Sequence, residues 1–109
     1  MAAERRVRRL AAILAADIEG YSRLTEMDEV ATLATLTSYR AVMDPLIDRF
    51  SGRIANTAGD SVLAEFASVV DAVECAKEVQ EALAARNDAL SLDRRMQFRI
   101  GIHVGDVMV

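Results

Sequence analysis

Arg53-Ile-Ala-Asn-Thr57, Ala58-Gly59-Asp60 and Ser61-Val-Leu-Ala-Glu-Phe66 are the stretch whose reading decides the fold. Two short arms flank a Gly-Asp step, and glycine supplies the backbone freedom that a tight turn needs. The stretch therefore predicts a β-hairpin over 53–66 with Asp60 at its tip. Upstream, Val7 to Ile18 is almost continuously apolar and predicts a central strand covered on both faces, ended by Glu19-Gly20. Between strand and hairpin, Val30, Leu33, Leu36, Tyr39, Met43, Leu46, Ile47 and Phe50 recur at three- and four-residue steps. That spacing predicts one apolar helical face over 28–50, with Pro45 kinking or splitting the helix.

Downstream, Ser68-Val-Val-Asp71 has the form of a capping box and opens a second helix to about Asn87, with Val69, Val73, Ala76, Val79 and Leu83 on its apolar stripe. Met96 to Val104 alternates as a strand. Gly105-Asp106 then predicts a turn, and Val107-Met108-Val109 the opening of a further strand, so the domain is expected to continue past Val109. The order strand, helix, hairpin, helix, strand is the α+β, ferredoxin-like split β-α-β-β-α-β layout. It predicts that the first strand lies beside the hairpin arm that follows the first helix. The end of that strand and the hairpin tip then share one sheet edge, and Asp17 and Asp60 become neighbours.

The 109 residues suit one domain: a basic lead-in over 1–6, then a single unit from 7 to 109. A net charge of −4 disfavours a nucleic-acid binder, which needs clustered positive charge. The one cysteine, Cys75, excludes an internal disulfide and a cysteine-only metal site. The longest apolar run, Leu10 to Ala16, is far short of the roughly 20 residues of a membrane-spanning helix. Preceded by Arg5, Arg6, Arg8 and Arg9, that run mimics a secretion signal, but Asp17 and Glu19 cut it short. The cytoplasm is the expected compartment.

Two converging carboxylates repel unless a cation lies between them, and oxygen ligands suit Mg²⁺ or Mn²⁺. Gly20 directly after the first acid allows backbone N–H groups to approach an anion, and a short helix beginning near Tyr21-Ser22 would aim its positive end there. Carboxylates for metal beside donors for phosphate describe a nucleoside-triphosphate site. Ordinary turn roles for both Asp residues remain the alternative at this level.

The stretch Ala15-Ala-Asp17-Ile-Glu-Gly20-Tyr-Ser22 resembles the first metal-binding strand and loop of class III nucleotidyl cyclases, the adenylyl/guanylyl cyclase catalytic domain. Thr57-Ala-Gly59-Asp60-Ser-Val-Leu-Ala-Glu-Phe66 is similar to that family's hairpin, and Phe98-Arg-Ile-Gly101-Ile-His103-Val-Gly105-Asp106 to its following strand. The resemblance implies that Asp17 and Asp60 bind two divalent cations with help from the Ile18 carbonyl. It implies that Glu19, Gly20, Tyr21 and Ser22 offer N–H groups to the phosphates, and that two such domains pair as a homodimer. The product implied is a 3′,5′-cyclic nucleotide, cyclic AMP ahead of cyclic GMP, with release of pyrophosphate.

Asn56 falls where adenylyl cyclases place a base-reading Lys; it can donate and accept, but carries no charge. The family's Asn and Arg for ribose and transition state would fall after Val109, so the 109-residue chain is expected to be inactive alone. A degenerate, nucleotide-binding regulatory module is the alternative. A diguanylate-cyclase turn would read Gly-Gly-Asp/Glu-Glu-Phe, unlike Ala58-Gly59-Asp60-Ser61-Val62. A phospho-receiver needs a late Lys, and none follows Lys77. His103, Cys75, Glu65 and Asp106 are expected to be ordinary strand, helix or turn residues, and 93–95 a solvated loop.

Overall fold

The structure, a computed structural model, describes residues 8–108. The lead-in at 1–6, Val7 and Val109 lie outside the described residues. The order is β1 (Arg8–Ile18), α1 (Tyr21–Met27), α2 (Glu29–Arg49), β2 (Arg53–Ala58), β3 (Ser61–Phe66), α3 (Val69–Asn87), a 3₁₀ turn at Leu92–Arg94, and β4 (Phe98–Met108). All pairings are antiparallel, in the sheet order β2-β3-β1-β4. This is the split α+β layout, with α2 and α3 on one face.

The partner of β1 is β3, the second hairpin arm, not the arm directly after the helix. The helical crossover leaves β1 and β2 pointing the same way, so the antiparallel β3 fits between them and completes both ladders. β1 packs against the helices on one face only, although Ala11 on the other is also buried. Leu14, Ala16 and Ile18 are buried against the helices, whereas Ala15 on the other face is exposed.

α2 is one helix with Pro45 inside it. Pro45 and Ala41, whose carbonyl loses its donor, are both exposed, so the orphaned oxygen is open to solvent and no split follows. The buried stripe of α2 is Thr32, Leu36, Tyr39, Met43 and Ile47, while Val30 and Leu33 are exposed. Thr32 takes the inward place because its hydroxyl donates to the Leu24 carbonyl at 2.8 Å. In α3 the stripe begins at Ala72 and Cys75 rather than Val69 and Val73, and small residues let the helix approach the sheet. Ser68 caps α3 by accepting from the Asp71 N–H at 3.2 Å.

β4 does not turn at Gly105-Asp106. It runs on to Met108 because β1 offers ladder partners down to Arg8: Gly105 lies opposite Ala11 and Asp106 opposite Leu10. Residues 93–95 are likewise not a free loop, since Arg94 and Arg95 both bond to carbonyls.

Candidate active site

Strand pairing carries the acids together. β1 ends where β3 begins, with Ala16 opposite Val62. A two-residue turn, Gly59-Asp60, closes the hairpin between Ala58 and Ser61, and Gly59 takes the left-handed φ of 57° that this turn requires. Asp60 Oδ2 accepts a hydrogen bond from the Ile18 N–H at 2.8 Å, which fastens the hairpin tip to the end of β1 beside Asp17. The expected convergence of Asp17 and Asp60 is thus present, across 43 residues of sequence.

Arg99 joins them. It lies opposite Asp17 in the β1–β4 register, and its Nε donates to Asp17 Oδ1 at 2.9 Å. That hydrogen bond and the charge of Asp17, then the charges of Glu19 and Asp60, raise the arginine pKa above its ordinary value. The fields of three carboxylates therefore converge on one guanidinium. Sequence reasoning missed Arg99 because only the register shows which residue lies across from Asp17.

Asp17 Oδ2 and Asp60 Oδ1 accept no hydrogen bond from the described residues. Two carboxylates with one open oxygen each, next to a backbone carbonyl at Ile18, form a hard-oxygen donor set that fits Mg²⁺ or Mn²⁺. Among the described residues no group of three His, Cys, Asp or Glu side chains could hold a metal unaided. Such a site leaves coordination positions for water and phosphate, which is the usual habit of Mg²⁺.

Gly20 follows β1 with φ 68°, a left-handed value that glycine adopts at no steric cost, and it caps α1 without a side-chain bond. The amides of Glu19 to Ser22 thus wrap the turn next to Asp17. Glu19 N–H itself donates to the Gln97 carbonyl at 2.9 Å, so it is already engaged.

The sheet face opposite the helices bears a row that crosses all four strands: Asn56, Leu63, Ala15 and Gly101. Because Ala15 and Gly101 are small, a cleft of about 570 Å³ opens there, lined also by Asp17, Ser61 and Arg99. A Cβ on Gly101 would meet no atom within 4 Å. Asn56 reaches this face through a bulge between Ile54 and Asn56. Two strand spacings, roughly 10 Å, separate its strand from that of Asp17. The remaining candidates are bland: Glu65 pairs with Arg53, His103 is an exposed strand residue, and Cys75 is buried.

Comparison with known proteins agrees with this geometry. The family model described as the adenylate and guanylate cyclase catalytic domain matches residues 5–109. A protein of Rhizobium meliloti (strain 1021) named "Putative adenylate cyclase 3" is 50% identical over the whole of this chain, which spans 19% of that relative. An adenylate cyclase of Anabaena cylindrica is 33% identical over 89% of the chain and 21% of its own length. The crystal structure of an adenylate/guanylate cyclase/hydrolase from Silicibacter pomeroyi is 42% identical, with a TM-score of 0.86 over 96% of this chain and 62% of that one. The chain therefore spans about a fifth of the curated relatives it matches. With that family model matching nearly its whole length and the paired acids in place, this chain belongs to the adenylate and guanylate cyclase catalytic domain family.

Proposed function

We propose that this chain supplies the metal- and phosphate-binding part of a nucleotidyl cyclase that converts a nucleoside triphosphate, ATP ahead of GTP, into its 3′,5′-cyclic nucleotide and pyrophosphate. The observation that carries the reading is the Asp60–Ile18 hydrogen bond, which joins two acids to one sheet end. Asp17, Asp60 and the Ile18 carbonyl would hold two divalent cations. When bound, these would neutralise triphosphate charge and favour the deprotonated form of the attacking hydroxyl.

The chain's own groups position the substrate. Backbone N–H groups of Gly20, Tyr21 and Ser22 face the β- and γ-phosphates, with Glu19 shaping the turn. Arg99, displaced from Asp17, balances negative charge on the triphosphate. The 3′-hydroxyl passes its proton to solvent water, and its oxygen bonds to the α-phosphorus as the bond from that phosphorus to the pyrophosphate oxygen breaks. The work is positioning and charge neutralisation.

The adenylate cyclase names of the relatives favour ATP, and Asn56 is neither the Lys nor the Glu of a settled base reader. The bare sheet face with Ile13, Ala15 and Leu63 suits a second copy, so a homodimer is the proposed assembly. Among the described residues no helix is long and apolar enough to cross a membrane, and cytoplasmic placement is part of the proposal.

The test is Mn²⁺-dependent turnover of ATP and GTP by the longest natural protein that contains this chain, with cyclic nucleotide and pyrophosphate both measured. The expected result is cyclic product that Asp60→Ala abolishes, and none from the 109-residue chain alone. A folded, dimeric long form that makes no product from either nucleotide would establish the regulatory-module reading instead.

A further inference from the structure

The segment between α3 and β4 is bonded on both sides. On one side it is gripped by Asn87, which is 4% exposed. Asn87 Oδ1 accepts from the Met96 N–H at 3.0 Å while its Nδ2 donates to the Met96 carbonyl at 2.8 Å, as a neighbouring strand would. The same Oδ1 accepts from the Tyr39 hydroxyl at 2.6 Å, which ties α2 into the grip.

On the other side the segment bonds to the β1–α1 turn, to α1 and to α2. At the start, the Gln97 carbonyl accepts from the Glu19 N–H at 2.9 Å. At the far end, Arg94 Nη2 donates to Thr32 Oγ1 at 2.8 Å, and Nη1 reaches the Leu24 carbonyl at 3.4 Å. The fully buried Thr32 hydroxyl donates to that same carbonyl at 2.8 Å. α1 has seven residues and buries only Leu24. A helix this short has no stability of its own in water, so its position comes from what it is tied to.

We propose that Thr32, Asn87 and Arg94 are positioning residues, which through residues 94–97 form a brace that fixes the Glu19–Ser22 turn for the triphosphate. Its consequence for turnover rests on the cyclase reading; its geometry does not. A hydroxyl or guanidinium here touches no substrate. The Leu24 carbonyl also accepts from the Asp28 N–H at 3.1 Å and so stays bonded when either is removed. What is lost is the tie that joins α1 to α2 and to residue 94, which lets α1 move while the Asp60–Ile18 bond that sets the acids remains.

The experiment uses the longest natural protein containing this chain, with Thr32→Val and Arg94→Met, and Thr32→Ser as the variant that keeps the hydroxyl. Three quantities are read: segment-resolved amide exchange, Mn²⁺ affinity without nucleotide, and KM and kcat for Mn²⁺–ATP. The Thr32→Val and Arg94→Met variants should speed exchange across 19–27 by about three- to tenfold, the loss of one to two net hydrogen bonds. The β1–β3 ladder should be unchanged, KM should rise by a similar factor, Mn²⁺ affinity should hold, and Thr32→Ser should behave as the parent. Unchanged exchange across 19–27, or an equal rise in the ladder, overturns the brace. A parent that makes no cyclic product defeats the cyclase reading, and the exchange result still decides the brace.

Discussion

Asp60 uses one carboxylate oxygen to accept from the Ile18 N–H and keeps the other open. Asp60→Asn preserves an acceptor for that N–H and removes the charge. Its melting temperature should stay near the parent's while Mn²⁺ affinity falls at least about tenfold, as read by Mn²⁺ paramagnetic resonance. Asp60→Ala should lose affinity and also about 1 kcal/mol of stability, the net worth of one hydrogen bond. Arg99 competes with metal for Asp17 across an exposed contact. Such contacts are weak and screened by salt. Arg99→Gln should therefore bind Mn²⁺ more tightly at low ionic strength, with the difference shrinking as salt is added; a weaker or salt-independent change counts against the competition. Asp17, Gly20 and Asp60 could be picked out from the sequence because their residue types and turn contexts are local. Arg99, Thr32 and Asn87 could not, since each acquires its role from a partner 8 to 82 residues away.

Elements were legible wherever a local period set them. The hairpin followed from Gly59-Asp60 and the two long helices from their apolar spacing. Their phase was less legible, because Thr32 and Ala72 face inward for reasons of bonding and closeness that hydrophobicity does not encode. Gly105-Asp106 was misread as a turn for a related reason: a long partner strand overrides local turn chemistry. Gly52 illustrates how tightly α2 and β3 meet after the α2 stop. A Cβ there would lie 2.5 Å and 2.7 Å from the Phe66 ring and 2.9 Å from Ile47 Cγ2. Phe66 and Ile47 are buried and cannot swing clear. Gly52→Ala should cost about 1–3 kcal/mol by overpacking, seen as a lower denaturation midpoint in urea without a change of slope.

At the scale of the whole molecule, one sheet has a packed side and a bare side, and the cleft with Asp17 and Arg99 lies on the bare one. Two groups on the packed side respond to alkaline pH. Burial, with a smaller contribution from Glu78, pushes the Cys75 thiol from 9.0 up to about 11, and burial raises Tyr39 as well. A raised folded value means that the unfolded chain loses these protons first. Stability from this source is present below about pH 9 and is lost as pH climbs toward 11. Cys75→Ala should flatten that alkaline decline in chemical denaturation measured between about pH 8 and 11, and the parent thiol should resist alkylation at about pH 8 until the chain unfolds. The bare side was not readable in advance: the apolar run of β1 looks the same whether one face or both are covered.

The register on the turn side of the bulge between Ile54 and Asn56 sets which of two neighbouring side chains lies opposite Leu63. An unbroken ladder from the Arg53–Glu65 pair would set Ala55 opposite Leu63 and turn Asn56 toward the helices. Parity along one arm therefore acts as a selector. Loss of a single residue between position 56 and the turn exchanges an amide for a methyl group opposite Leu63, whereas a loss before position 56 leaves Asn56 where the turn sets it. The side chain presented opposite Leu63 can therefore change by a length change alone, without any substitution at position 56.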